Sequence, residues 1–134
     1  MLSGLFFPGN ERRLLSYGLS GRVELVIAED VAEEVFRVLE SRFADHPAIA
    51  EAMGWLSRVL GSFDLVSRSQ YQSREGNLAS RVRDPKDTPI LACAIAARAE
   101  CLVSGDKDLL VLGSVEGVAL RRTREVLADI ERTP

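Results

Sequence analysis

A chain of 134 residues, 46% apolar and 28% charged, is sized for one compact domain over residues 1–134, too short for two domains and too apolar for wholesale disorder. No apolar run reaches the roughly 18 residues a membrane helix needs, and no basic-then-apolar leader opens the chain, so a cytoplasmic protein without membrane attachment is expected. The net charge of -3 argues against a general polyanion-binding coat, but all but two of the 17 basic residues are arginine and several cluster, so local patches matter more than the sum.

Residues 1–7 are apolar and end at Pro8-Gly9-Asn10, a turn signal that offers Asn10 as the N-cap of a helix over residues 11–17, closed by Gly18 and Gly21. Residues 22–28 have the apolar and β-branched content of a buried strand. Glu29 and Asp30 then open a helix favourably against its dipole, and Val31, Val35, Val38 and Leu39 repeat at helical spacing. With that stripe inward, Glu34 stands beside the inner face rather than opposite it. Pro47 starts another helix, in which Ile49, Met53, Leu56 and Leu60 keep the period up to Gly61. A short strand over residues 63–67 follows, and residues 69–86, poor in aliphatics, read as a long surface connection of the kind that borders sites.

Residues 87–99 are strongly helical, with Ile90, Ala94 and Ile95 inward. A strand over residues 100–103, a short helix over 108–112, an edge strand over 118–121 and a last helix over 124–130 capped by Thr123 complete the pattern. Strands alternating with helices predict an α/β fold with a mainly parallel sheet covered on both faces and ligands at the carboxyl ends of its strands. Cys93 and Cys101 have neither CxxC spacing nor a histidine cluster and read as small buried groups, while the sole histidine, His46, precedes Pro47 where it suits a surface or capping role.

The chemistry lies with acids. Asp87 sits at a helix start, Asp106 and Asp108 follow a strand, and such positions can converge on one cation that offsets their mutual repulsion. Glu34, Asp87, Asp106 and Asp108 together suggest metal-assisted phosphodiester hydrolysis, with Mg²⁺ or Mn²⁺ favoured because every donor is oxygen. Ser104 suits orientation of a carboxylate or a water, or equally a hydroxyl that ends a strand. Arg12-Arg13, the group Arg74, Arg81, Arg83 and Lys86, and Arg121-Arg122 with Arg124 are each placed to contact phosphate or to form an ordinary solvated face.

Glu34 within residues 28–39, Asp87 in Asp84-Pro-Lys-Asp87-Thr-Pro-Ile-Leu-Ala-Cys-Ala94, and Asp106 in Leu102-Val-Ser-Gly-Asp106-Lys-Asp108-Leu-Leu110 form an ordered set that resembles the PIN domain family. Leu2-Ser-Gly-Leu-Phe-Phe-Pro-Gly-Asn10 is similar to the helix and turn after that family's first motif. The resemblance extends from Met1 to the region of Ile130 and is closest to VapC-related toxin components of type II toxin–antitoxin systems. It implies a three-layer α/β/α sandwich and a Mg²⁺- or Mn²⁺-dependent endoribonuclease, often dimeric and held inactive by a cognate antitoxin. Glu34, Asp87 and Asp106 would be its metal ligands, Asp108 a further ligand or water-orienting group, and Arg12, Arg13, Arg81, Arg83 and Lys86 contacts for RNA.

The chain departs from the family pattern at its start. The usual first strand ends in an Asp-Thr-Asn-like motif whose Asp is a metal ligand, and this sequence begins just after that point, so the N-terminal strand is absent from it and an upstream start is expected. The alternative is a PIN-like module that binds RNA or an antitoxin without cutting. A phosphoacceptor receiver domain lacks its acidic pair and lysine here, and neither a GxxxxGK[ST] loop nor a GxGxxG turn is present.

Overall fold

The computed structural model describes residues 9–132, so the apolar opening expected over residues 1–7 lies outside the described residues. Helix α1 (Asn10–Leu19) leads to strand β1 (Val26–Ala28), helices α2 (Glu29–Arg42) and α3 (Ile49–Ser62), and strand β2 (Asp64–Val66). Helical turns α4 (Arg68–Tyr71) and α5 (Glu75–Leu78), joined through a 3₁₀ turn at Gln72–Arg74, precede a second 3₁₀ turn at Pro85–Asp87 and helix α6 (Thr88–Ala96). Strand β3 (Cys101–Val103), helix α7 (Lys107–Leu110), strands β4 (Ser114–Val115) and β5 (Val118–Arg121), and helix α8 (Thr123–Arg132) follow.

This is an α/β chain whose described strands form two small sheets. In one, β1 and β2 pair in parallel with Ile27 opposite Leu65. In the other, β5 is the middle strand, parallel to β3 with Leu102 opposite Leu120 and antiparallel to β4. The edge position expected for residues 118–121 is therefore corrected: β4 takes the edge. It is only two residues long and is joined to β5 by Glu116 and Gly117, both at positive φ (48° and 87°), the backbone of a tight hairpin whose twist suits paired strands.

Helix α6 is apolar on nearly every side, burying Thr88, Leu91, Ala92, Cys93, Ala94 and Ile95, and packs against both β1 and β3. Such a helix needs cover all round. Much of that cover comes from residues 68–82, which fall almost wholly in the stretch 69–86 expected to be a surface connection. They instead coil through α4 and α5 and bury Tyr71, Leu78 and Val82 in the same core as α6. Those three apolar residues, spaced seven and four apart, fix one inner face while the polar remainder stays outside.

The helical stripes are observed with small rotations. In α2, Val35 and Leu39 are buried with Ala32, while Val31 and Val38 flank them. In α3 the buried line is Ala52, Leu56 and Val59, with Ile49, Met53 and Leu60 packed beside it. Helix starts also differ from expectation. Gly9, not Asn10, caps α1, and Gly18 lies inside that helix, where an added Cβ would collide with the Leu25 side chain. At α8 the cap is made by Glu125, which accepts a hydrogen bond from the Arg122 N–H at 2.9 Å, so Thr123 is already helical. His46 Nδ1 accepts the Ala48 N–H at 3.0 Å, a turn-capping role just before α3. Cys93 is buried, Cys101 is half-buried, and both are free thiols. Among the described residues no helix is long and apolar enough to cross a membrane.

A polar knot closes the fold where α2 begins. The fully buried Tyr71 donates its hydroxyl proton to Asp30 Oδ2 at 2.7 Å and accepts the Asp30 N–H at 3.1 Å. Arg68 adds bonds to Asp30 Oδ1 and Glu33 Oε2, and its backbone N–H donates to Glu29 Oε1 at 2.8 Å. Burial alone raises the Asp30 carboxyl, but the bonds from Tyr71 and Arg68 outweigh it and hold the group below the ordinary carboxylate range. The Tyr71 phenol is pushed up to about 12, by burial first and then by Asp30. Tyr71→Phe removes both bonds and should lower stability by about 2 kcal/mol, read as a lower urea midpoint at unchanged slope.

Candidate active site

Two tight turns bring acids together at one end of α6 and β3. The first is built by Asp84, whose Oδ1 accepts the Lys86 N–H at 3.0 Å while Pro85 starts the 3₁₀ turn with the fixed φ it needs. Asp87 ends that turn and occupies the N-cap position of α6, without a capping bond from its side chain. The second turn follows β3. Ser104 N–H donates to the Arg121 carbonyl at 2.9 Å, extending the β3–β5 pairing, and Ser104 Oγ accepts the Asp106 N–H at 3.0 Å. Asp106 then caps α7 by accepting the Asp108 N–H at 2.8 Å. Ser104 thus shapes the turn through backbone bonds, and Asp106 has one oxygen engaged.

The electrostatics centre on Asp87. Its carboxyl is pushed up from 3.8 to about 6, first by burial and then by the charges of Asp106 and Asp84, the close approach of the Asp106 carboxyl, and the charge of Asp108. A helix start favours negative charge, so the crowding here overrides the α6 dipole. Asp87 Oδ2 is buried and accepts no hydrogen bond. An orphaned carboxylate oxygen on a group under the charge of three further acids is costly as it stands, and a divalent cation with oxygen ligands is a natural relief. Asp84 was not singled out from the sequence as a site residue, although the Asp-Pro step in the Asp87 motif marks it as a turn-former close in sequence to Asp87.

The other expected residues are distributed less tightly. Glu34 is exposed on α2, makes no side-chain hydrogen bond among the described residues, and is not among the charges acting on Asp87. Among the described residues no three His, Cys, Asp or Glu side chains stand close enough together to enclose a metal ion. Arg83 reaches Asp108 Oδ1 at 3.5 Å from a side chain that is 82% exposed, so it screens the acids only weakly. Arg81 and Lys86 are exposed on the same segment. Arg12 lies over the Trp55 ring, 4.5 Å from its centre, and pairs with Glu51, whereas Arg13 is bound to Glu131 of α8. Those two arginines are already engaged within the chain.

A family model for the PIN domain matches residues 1–108. The chain belongs to the PIN domain family. PIN domains are α/β proteins, generally nucleases that use divalent metal ions, which agrees with crowded aspartates at the ends of a strand and a 3₁₀ turn. Searches of curated proteins and of solved structures return no match. The matched residues end at Asp108, the last acid of the cluster, so β4, β5 and α8 lie beyond them.

In the metal-free PIN chain the native state holds the Asp87 proton up to about pH 6, whereas the unperturbed value is 3.8. Between those values the native state binds more protons than the unfolded one, so this group's stabilising contribution is present at low pH and is lost as pH rises through the window. Asp87→Asn in EDTA should therefore be more stable than the parent at neutral pH, by on the order of 1 kcal/mol after solvent screening, or roughly 3 °C in Tm. The gain should shrink at about pH 4, as differential scanning calorimetry at both pH values will show.

Proposed function

We propose that this PIN domain is a Mg²⁺- or Mn²⁺-dependent endoribonuclease, the toxin of a toxin–antitoxin pair, acting in the cytoplasm and restrained by a cognate antitoxin. The observation that supports this reading best is the buried, unbonded Oδ2 of Asp87 among Asp84, Asp106 and Asp108. Every donor at that place is oxygen, which suits a hard divalent ion. Asp87 and Asp106 would hold it, with Asp108 as a further ligand or as the group that orients water. Glu34 is kept as a third ligand on the strength of the sequence pattern. The two small sheets are read as parts of the family's three-layer α/β/α arrangement.

When bound, the cation supplies charge stabilisation to the phosphoryl group under attack and makes a water acidic enough to act as nucleophile near neutral pH. The chain's own contribution is positional. Bonding of Asp106 to the Asp108 N–H leaves its second carboxylate oxygen for the ion or the water, and the Ser104 bond to the Asp106 N–H keeps that turn in register with β3. A homodimer is compatible with this arrangement, which asks nothing of a second copy.

Cleavage of an RNA of mixed structure should require Mn²⁺ or Mg²⁺, stop in EDTA, and fall by at least about 100-fold in Asp106→Asn, since even outer partners of metal ligands cost 10–100-fold when removed. Glu34→Gln belongs in the same assay and should reduce cleavage if Glu34 is a ligand. A folded chain that binds RNA and leaves it intact in either metal would instead identify a PIN module that recognises RNA or an antitoxin without cutting it.

A further inference from the structure

Beside the acid turn lies an open cleft of about 300 Å³, lined by Ser104 and Gly105 from the end of β3, Arg122 and Arg124 with Thr123 from the β5–α8 junction, and Asn10 and Glu11 from the start of α1. Its volume is at the lower end of the range of small-ligand sites. It also sits at the carboxyl ends of the parallel pair β3 and β5, where α/β folds place ligands.

The charges in the cleft are unevenly engaged. Arg121 and Arg132 of the same segment are both tied to Asp129. The guanidinium groups of Arg122 and Arg124, exposed at the cleft, have no hydrogen-bond or ion-pair partner among the described residues. The nearby Glu125 carboxylate is occupied by the Arg122 backbone N–H, and Glu11 is the single acid in the lining. Two uncommitted arginines facing one glutamate leave the cleft positive, and the first turns of α1 and α8 add backbone N–H groups of the same sign. The path from cleft to acids is one residue long, because Ser104 lines the cleft and bonds to the Asp106 N–H at 3.0 Å.

We infer that Arg122 and Arg124 form a subsite for the phosphodiester backbone of single-stranded RNA, holding the phosphates next to the one presented to Asp87 and Asp106. Both residues lie outside residues 1–108, the part of the chain that the PIN domain model matches. The inference rests on the nuclease reading for the identity of its ligand. It separates the work of the two halves of the site: the aspartates gather a cation and repel phosphate, while the arginines supply the attraction that brings phosphate to them.

The test is fluorescence anisotropy of a labelled single-stranded RNA with the full chain in EDTA, over a series of salt concentrations. Arg122→Gln with Arg124→Gln should weaken binding several-fold and flatten the dependence of log K on log salt by about 1.4, at 0.7 per phosphate contact for a single strand. Arg122→Lys with Arg124→Lys should retain the parent slope, and so should Arg37→Gln with Arg42→Gln, which removes equal charge from α2. The inference is overturned if the glutamine pair binds like the parent, if the α2 pair loses as much, or if the parent does not bind RNA in EDTA. Cleavage in Mn²⁺, measured in parallel, separates the two readings. A parent that binds through the cleft yet never cuts defeats the nuclease reading alone, and a glutamine pair that cuts subsaturating RNA at the parent rate defeats the subsite alone.

Discussion

The hydroxyl of Tyr71 between Asp30 Oδ2 and the Asp30 N–H is the attachment on which the arrangement around the candidate active site depends. Helix α6 carries Asp87 at its start and is apolar nearly all round, so it has no stable place unless both sheets and a covering layer enclose it. The covering layer, residues 68–82, is itself mostly polar and holds on by three apolar side chains and one polar knot. Full burial of an aromatic ring contributes a few kcal/mol, and a satisfied hydroxyl removes the penalty that would otherwise oppose it. Arg68 completes the knot by gathering Glu29, Asp30 and Glu33, so the layer is stitched to the start of α2 as it closes over α6.

Two groups of acids in one chain have opposite fates, and the difference lies in their partners. Glu29, Asp30 and Glu33 share a guanidinium and a phenol, and the Asp30 carboxyl is held low. Among the described residues, Asp84, Asp87, Asp106 and Asp108 have one ion-pair partner between them, the exposed Arg83 on Asp108, and the Asp87 carboxyl is pushed up to about 6. A satisfied acidic cluster is a structural device. An unsatisfied one is a local conflict that the rest of the fold must hold in place, and such conflicts concentrate where chemistry is done.

This contrast also explains what the sequence could and could not disclose. Asp87, Asp106 and Asp108 could be picked out because turn-forming residues fixed them to the ends of predictable elements, and the charges of Asp106 and Asp108 act on Asp87. The stripe in α2 was legible for the same reason of periodicity, and it placed Val35 and Leu39 correctly in the core. The role of Asp30 was not, since it depends on Tyr71 and Arg68, 41 and 38 residues away. Nor was the covering layer, because Tyr71, Leu78 and Val82 are too sparse among polar neighbours to register as an inner face. The central place of β5 escaped notice because its edge partner β4 is two residues long and is turned by a Glu-Gly pair, a weaker hairpin signal than Asn-Gly or Asp-Gly. Glu34 shows the limit of pattern: the expected stripe set it beside the inner face, whereas the buried line of α2 runs through Ala32, Val35 and Leu39 and leaves the Glu34 side chain exposed.

The PIN match ends at Asp108, but the geometry of Asp106 does not. The Asp106 turn is set by Ser104, and Ser104 is set by the Arg121 carbonyl at the end of β5. A strand pair three residues long has little stability of its own. Its register therefore leans on what surrounds it: the β4 hairpin on one side, and α8, which packs on α1 and is bonded to it through Glu131, Arg13 and Tyr17. The segment beyond the PIN match is thus joined to the Asp106 turn by a chain of direct bonds.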